Sequence, residues 1–275
     1  MQYNRKHILN RFLYGCVVNL SKTTVGYWIP RVLQRILLME VASILSDMEK
    51  CNHESHQKNN LNDTECFKAL QTTQNRISYP DPASLGLAGF ACTTFILSVL
   101  NAKLLPSEIT KGVVGSGFFY GGTTQFIAGI LCFVTRNTFG FVGLTSYGAF
   151  WLAVSTLFTL EAEHDLVFGG KSNQVIGILL VGYSIFSLYL WVGALAHHLA
   201  LIITITLLEM TLILLALSSF GVISSVPGGV TGILLALGGW YISAAIFINE
   251  NFQRTVVPLG PSHSIPFLRN IAPKQ

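Results

Sequence analysis

The sequence predicts an all-α membrane protein in which an N-terminal extension precedes six transmembrane helices, and three observations carry that expectation. Charged residues make up only 11% of the 275 residues, against 51% hydrophobic, whereas soluble domains average about 25% charged. From Leu85 onward the chain divides into apolar runs of about twenty residues, the length a helix needs to cross a bilayer core. The charges are also unevenly placed: residues 1–84 hold seventeen of the thirty, and residues 85–248 hold nine. A water-soluble enzyme is therefore disfavoured. A net charge of +4, concentrated near the N-terminus, does not suit nucleic-acid binding either.

Residues 1–39 carry Arg5, Lys6, Arg11, Lys22, Arg31 and Arg35 with no acidic residue. Val32, Ile36 and Leu37 fall on one helix face, a pattern resembling a transit peptide or an interfacial helix. Residues 46–80 are rich in Asn, Gln, Glu, Lys and Thr and read as a solvated linker. The expected division is a basic and polar extension over 1–80, largely disordered with one amphipathic helix, a six-helix membrane domain over 81–263 and a tail over 264–275. A cytoplasmic tail, an organelle-targeting segment, a peripheral helix and a misassigned start codon all remain open for the extension.

The first span is expected from Leu85 to about Leu104, with Asp81 as its cap and Pro82 as its first helical residue. The second runs from Gly112 to Phe133 and contains the G-x-x-x-G of Gly117 and Gly121. The third covers Phe139 to Leu160, the fourth Gln174 to Leu195 and the fifth Leu199 to Phe220. The sixth, Gly229 to Ile248, repeats the small-residue device with Gly228, Gly232, Ala236 and Gly239. Small residues at this spacing let helix backbones approach closely in lipid, where packing drives association. These boundaries leave Lys103, Glu108, Lys111, Arg136, Glu161, Glu163, Asp165 and Lys171 in connections or at helix ends. Six spans place both termini on one side. Lys68, Arg76, Arg136, Arg254 and Arg269 on that side outnumber Lys103, Lys111 and Lys171 on the other, which favours both termini inside.

Helical spacing also locates the few polar groups. Phe90, Thr94, Leu97 and Asn101 share a face of the first span, with Thr93 beside them; Thr204, Leu208, Thr211, Leu215 and Ser218 share one of the fifth. Gln125 lines up with Phe118, Gly121 and Gly129, and Tyr147 with Gly140, Gly143 and Trp151. Each stripe alone reads as interhelical hydrogen bonding, worth about 1 kcal/mol per bond. Four stripes on four helices point to a shared central pore of hydroxyls, amides and bulky apolar groups, suited to a small solute of one charge or none.

Glu209 is the charge left inside a span. A carboxylate there costs about 2.5 to 3.5 kcal/mol on insertion scales and is a functional candidate by default. It is turned about 100° from the Leu208 stripe, so it flanks the pore or faces another helix or protomer. A proton site and a hydrogen-bonded structural acid are both open.

Other chemistry finds no support. Cys16, Cys51, Cys66, Cys92 and Cys132 are odd in number and lack C-x-x-C spacing, which argues against a disulfide framework or a zinc site. No H-E-x-x-H or P-loop spacing occurs, and no nucleophile is paired with a base on a helix face. No cofactor and no enzymatic activity are expected.

Beyond these patterns, Asp81-Pro82-Ala83-Ser84-Leu85-Gly86-Leu87 resembles the N-P-A-P-L-G-L signature of the acetate uptake transporter family, which includes bacterial succinate-acetate permeases and fungal acetate and ammonia-export proteins. Phe119-Tyr120-Gly121-Gly122 with Gln125 and Ala128-Gly129, then Asn137-Thr138-Phe139-Gly140 and Ser146-Tyr147-Gly148-Ala149-Phe150-Trp151, are similar to its second and third helices. Asn249-Glu250-Asn251-Phe252, Arg254-Thr255-Val256 and Pro258-Leu259-Gly260 are similar to its C-terminus. The resemblance implies a homo-hexamer whose protomers each hold a pore for acetate and related small monocarboxylates, with succinate and protons as further partners. It assigns a hydrophobic constriction to Phe90, Tyr147 and Leu208. A substrate path of Asp81, Pro82, Leu85, Gly86, Thr93, Thr94, Asn101, Gln125, Ser146, Trp151, Thr204 and Thr211 goes with it, and Glu209 is the candidate proton site. The expected setting is the plasma membrane with both termini cytoplasmic, an organelle membrane being the alternative. An ammonia or neutral-solute channel and a membrane sensor or scaffold stay open as other functions. Two departures from the signature carry expectations: Ser84 in place of Pro should loosen the first turn, and Asp81 in place of Asn should repel an anion when ionised, or else be protonated and favour uptake at low pH.

Overall fold

The computed structural model describes residues 79–106, 111–163 and 171–261; the expectations for residues 1–78 and for the tail beyond 261 lie outside them. Six helices among the described residues are long and apolar enough to cross a membrane. They are α1 (Ala83–Asn101), a composite second span, α4 (Thr138–Glu163), α5 (Ser172–Ala194), α6 (Leu199–Ser219) and α7 (Val226–Phe252). The second span joins α2 (Lys111–Ser116), a π-helical stretch π1 (Gly117–Thr124) and α3 (Gln125–Val134). The sixth span begins three residues before its expected start, because Pro227 sits in its first turn, where a missing N–H costs nothing.

Local chemistry sets the ends. Asp81 Oδ1 accepts the Ala83 N–H at 2.9 Å and closes the turn into α1, but the N-cap is Pro82 and the first helical residue Ala83, one residue later than the sequence suggests. Ser84, expected to loosen this turn, braces it instead: its hydroxyl donates to the Asp81 carbonyl at 3.1 Å. Its own carbonyl accepts the Ser243 hydroxyl of α7 at 2.6 Å. The α3–α4 turn takes three residues, Thr135, Arg136 and Asn137. Arg136 adopts φ 58°, the Asn137 N–H returns to the Cys132 carbonyl at 2.9 Å, and the Asn137 side chain caps α4 by accepting the Gly140 N–H at 2.8 Å. A left-handed residue with a six-to-one bond is the Schellman ending.

The π-helical stretch was not anticipated. Within it the Thr123 and Thr124 hydroxyls donate to the carbonyls of Phe118 and Phe119, five residues back, at 2.8 Å each. The wider turn rotates the second span, so Gly117, Gly121 and Gly122 become its buried face and Phe118 leaves the Gln125 stripe. A Cβ at Gly89 would lie 2.6 Å from the Tyr120 carbonyl oxygen, and one at Gly121 would lie 2.6 Å from Thr93 Oγ1. Only glycine permits that approach.

α1 and α7 pack antiparallel through the same device. Gly229 lies against the backbone of Asn101 and Ala102, Gly239 lies against Ala91, and the Ser225 hydroxyl holds the Asn101 carbonyl at 2.7 Å. Antiparallel pairing of α5 with α6 follows from Trp191 Nε1 donating to Thr206 at 2.9 Å and from Ser184 bonding Glu209.

Candidate functional site

Among the described residues, one cavity lies toward each end of the bundle. The first, of about 900 Å³, is walled by Thr94, Leu97 and Asn101 of α1, Trp151 of α4, and Thr211, Leu215 and Ser218 of α6, with Lys103 and Glu161 at its end. The second, of about 550 Å³, is walled by Gln125, Gly140, Gly143 and Thr204, with Asp81, Arg136, His197, His198 and Leu259 at the opposite end. Among the described residues, only Phe90, Tyr147, Leu208 and Leu235 belong to both walls. All four are buried.

The α1, α4 and α6 stripes therefore line cavity along their whole length. Phe90 meets Tyr147 edge-on, with ring centroids 5.9 Å apart, and Phe150, Tyr183 and Phe186 surround the same phenol ring. Leu235 was missed by sequence reasoning. Its signal was present in α7, where Gly228, Gly232, Leu235 and Gly239 follow at steps of four, three and four, leaving Leu235 as the single large side chain of that stripe.

Asp81, Thr94, Asn101, Gln125, Trp151, Thr204 and Thr211 line one cavity or the other. Five residues expected on the path line neither. Pro82 is the N-cap of α1, and Leu85 is 46% exposed on its outer face. Gly86 is filled by packing, since a Cβ there would meet Leu144 at 2.7 Å. The Thr93 hydroxyl donates to the Ser116 carbonyl at 3.2 Å, a helix-to-helix contact. Ser146 offers its carbonyl to the Tyr183 hydroxyl at 3.1 Å.

Several lining groups are left without partners. Thr94 Oγ1, both amide atoms of Gln125, the Tyr147 hydroxyl and Trp151 Nε1 are buried and make no hydrogen bond. Buried polar groups are nearly always paired. Unpaired ones spaced along two cavities that share four wall residues are available to a solute or to water.

The ends are charged differently from the middle. At the second cavity, burial pushes the His198 imidazole down from 6.5 to about 4, with the neighbouring His197 as a lesser cause; burial lowers His197 as well. Both are neutral near pH 7, so the charged side chains there are Asp81, Arg136 and Glu250, whose carboxylate accepts the Asp81 N–H at 3.4 Å. Glu209 lines neither cavity. It turns toward α5, where one carboxylate oxygen accepts the Ser184 hydroxyl and the other is buried without a partner. Among the described residues no group of three or more His, Cys, Asp or Glu is placed to hold a metal ion.

Residues 66–261 match the GPR1/FUN34/yaaH family. Accumulation of dyads protein 2 of Saccharomyces cerevisiae is 37% identical, over 59% of this chain and 59% of its own length, so the chain spans less than two thirds of that relative. Ammonia transport outward protein 2 of the same yeast is 35% identical over 69% of this chain and 70% of its own. The succinate-acetate/proton symporter SatP of Escherichia coli is 32% identical over 66% of this chain and 96% of its own. The solved structure of the bacterial acetate channel SatP superimposes with a TM-score of 0.62 and 29% identity, covering 66% of this chain and all of that one.

Proposed function

The chain belongs to the GPR1/FUN34/yaaH family, and from that premise we propose that it is an integral membrane transporter or channel for acetate and related small monocarboxylates. The observation that carries this reading is the pair of cavities that meet only at Phe90, Tyr147, Leu208 and Leu235. A solute entering from either end must pass those four side chains.

The physical argument concerns hydration. An apolar constriction hinders a hydrated ion, whereas a small carboxylic acid sheds little water and presents one methyl group and one carboxyl. Gln125 and Thr204 on one side of the constriction, and Thr94, Trp151 and Thr211 on the other, supply hydrogen bonds in exchange for that water. Carboxylic acids titrate at about 4.3 for a glutamate-like group, so the uncharged species grows tenfold with each unit of falling pH. Uptake rising toward acid pH fits both permeation of the acid and proton coupling. We assign protons as the coupled partner and succinate as a poorer substrate, because a second carboxylate must cross the same apolar ring.

The transporting unit in this reading is residues 81–263, assembled as a homo-hexamer in the plasma membrane with both termini cytoplasmic. Transport here needs no covalent chemistry and no cofactor.

Labelled acetate flux into proteoliposomes at several external pH values, beside flux of methylamine, tests the proposal. Acetate flux above empty vesicles that rises as pH falls is the expected result. Methylamine flux without acetate flux would overturn it.

A further inference from the structure

The Gln125 amide is buried in the wall of the second cavity with its whole hydrogen-bonding capacity unspent. Gln125 is 1% exposed, and neither Nε2 nor Oε1 has a partner, a costly state for a buried amide. Glycines four residues to either side hold it there. A Cβ at Gly121 would lie 2.6 Å from Thr93 Oγ1 of α1, and one at Gly129 would lie 2.4 Å from the Thr145 backbone nitrogen of α4. The second span is thus pressed against α1 and α4 on both sides of Gln125, in a cavity wall that also includes Phe90, Tyr147 and Leu208.

The other polar groups of this wall do not offer the same pair. The Thr204 hydroxyl spends its hydrogen on the Ala200 carbonyl at 2.8 Å and keeps acceptor capacity only. The Asn137 amide has its oxygen on the Gly140 N–H. Gln125 presents a donor and an acceptor side by side, so the solute that satisfies both must bring an acceptor and a donor at matching spacing. An undissociated carboxylic acid does so through C=O and O–H, and a primary amide through C=O and N–H. A carboxylate brings acceptors alone and would turn a negative oxygen toward Oε1. Nothing nearby offsets that charge, because α1, π1 and α3 to α7 carry no Lys or Arg. Against α3 pack α1, π1 and α4, whose titratable groups are Cys92, Tyr120, Tyr147 and, in the last turn of α4, Glu161 and Glu163; α3 itself holds Cys132. Across the cavity Glu209 of α6 turns toward α5. Tyr241 of α7 is bonded to the Pro258 carbonyl, and Asp81, Arg136, His197, His198 and Glu250 lie at the mouth.

We infer that Gln125 distinguishes the undissociated acid from its anion by closing a ring of two hydrogen bonds with it, and that the same pairing makes small primary amides such as acetamide ligands of the second cavity. The acid half rests on the transport reading above; the amide half stands on the cavity alone. In the ring the acid O–H donates to Oε1 and its C=O accepts from Nε2, which leaves the methyl group to the apolar residues of the same wall. The anion takes the proton of a hydronium ion at the mouth, leaving water, and enters the pairing as the acid. The coupled proton thereby crosses as the O–H of the substrate. Acetamide, close to acetic acid in shape, brings its own donor and needs no proton.

The test uses the full chain, wild type and Q125M, in nanodiscs and in proteoliposomes. Saturation-transfer NMR on the acetamide methyl protons, less the signal of empty nanodiscs, reads binding. Acetone, close in shape but without a donor, and acetate are titrated as competitors. Wild type should hold acetamide roughly fivefold more tightly than acetone, the worth of one hydrogen bond, and Q125M should weaken acetamide roughly tenfold or more and erase that advantage. The total acetate that displaces half of the acetamide should rise roughly tenfold for each pH unit between about pH 5 and 7, as the acid fraction falls, while the affinity for acetamide stays level. Labelled acetate flux is measured in parallel. Acetamide binding without acetate flux would sink the transport reading and leave the amide site standing; acetate flux without acetamide binding would overturn this inference and leave transport standing. If Q125M does not assemble, the comparison of acetamide with acetone and the acetate series on wild type carry the test. Equal affinity for acetone and acetamide in wild type, or displacement by acetate that does not change with pH, would overturn the inference.

Discussion

Tyr147 stands edge-on to Phe90, with ring planes at 69°, while its hydroxyl has no hydrogen-bond partner. Four aromatic neighbours hold the ring, each pair contributing about 0.5 to 1.5 kcal/mol beyond burial. Ring and hydroxyl therefore have separable roles. Tyr147→Phe keeps the ring in place and removes one hydrogen bond to the solute, worth about 0.5 to 1.5 kcal/mol, so acetate flux should fall roughly two- to tenfold with unchanged thermal stability. Tyr147→Ala removes the wall and should admit larger acids such as butyrate, measured by competition with labelled acetate. A selectivity profile identical to wild type in Tyr147→Ala would remove Tyr147 from the constriction.

Leu235 gives an independent handle on the same place. It is 1% exposed and faces the other three residues from α7. Leu235→Ala opens the ring from that side, at about 2 to 5 kcal/mol of stability for a truncated buried leucine. Selectivity should relax as in Tyr147→Ala. Leu235→Phe should instead narrow the ring and depress acetate flux while the protein still purifies as wild type does. If neither change alters which acids compete, the solute does not pass Leu235.

How much of this could be read from the sequence depended on helical register. In α1, α4 and α6 the period is regular, so spacing alone brought Asn101, Trp151 and Ser218 onto the cavity walls. In the second span the π-helical stretch breaks the period, and Phe118 left the line that a 3.6-residue repeat gives it. Leu235 went unnoticed because a lone leucine among glycines reads as packing. Thr93 was placed on the path because it adjoins Thr94, and Gly86 because it belongs to the family signature, but a helix turns about 100° per residue and takes them to the α2–π1 and α4 contacts. No rule of spacing shows that Ser84 would brace its own turn, since that depends on where the Asp81 carbonyl points.

At the mouth of the second cavity Asp81 can be neutralised without disturbing the turn into α1. Its Oδ1 accepts the Ala83 N–H, and an asparagine oxygen accepts the same bond. Asp81→Asn should leave the melting temperature within about a degree or two, since these two residues serve such turns nearly equally. The KM for acetate at pH 7 should fall, because one negative charge no longer opposes the anion. The gain should shrink with added salt as the Debye length drops from about 10 Å at 0.1 M toward about 3 Å at 1 M. A KM equal to wild type at low salt would show that Asp81 does not act on the incoming anion electrostatically.

The His198 side chain links the loop charge to stability. Its Nδ1 accepts the Leu201 N–H at 3.1 Å, capping α6 in the neutral form only. The adjoining N–H groups of Leu199 and Ala200 hold the C-terminal segment through the Gly260 and Leu259 carbonyls at 2.8 and 3.0 Å. Folding lowers this imidazole from 6.5 to about 4, so between those values the unfolded chain binds the extra proton. Stability is therefore full above about pH 6.5 and is lost as pH falls toward about 4, where both states are protonated and the dependence levels off. His197, lowered in the same direction, adds a slope of the same sign. His198→Asn keeps a capping oxygen and removes the titration, so its melting temperature should fall less than wild type across that interval. His198→Ala should lose about 1 kcal/mol of capping at pH 7.5, a deficit that shrinks as pH falls because it too lacks the titrating imidazole. Melting curves in detergent from pH 7.5 to 4 measure all three, and an identical slope for wild type and His198→Asn would place the acid sensitivity in another group.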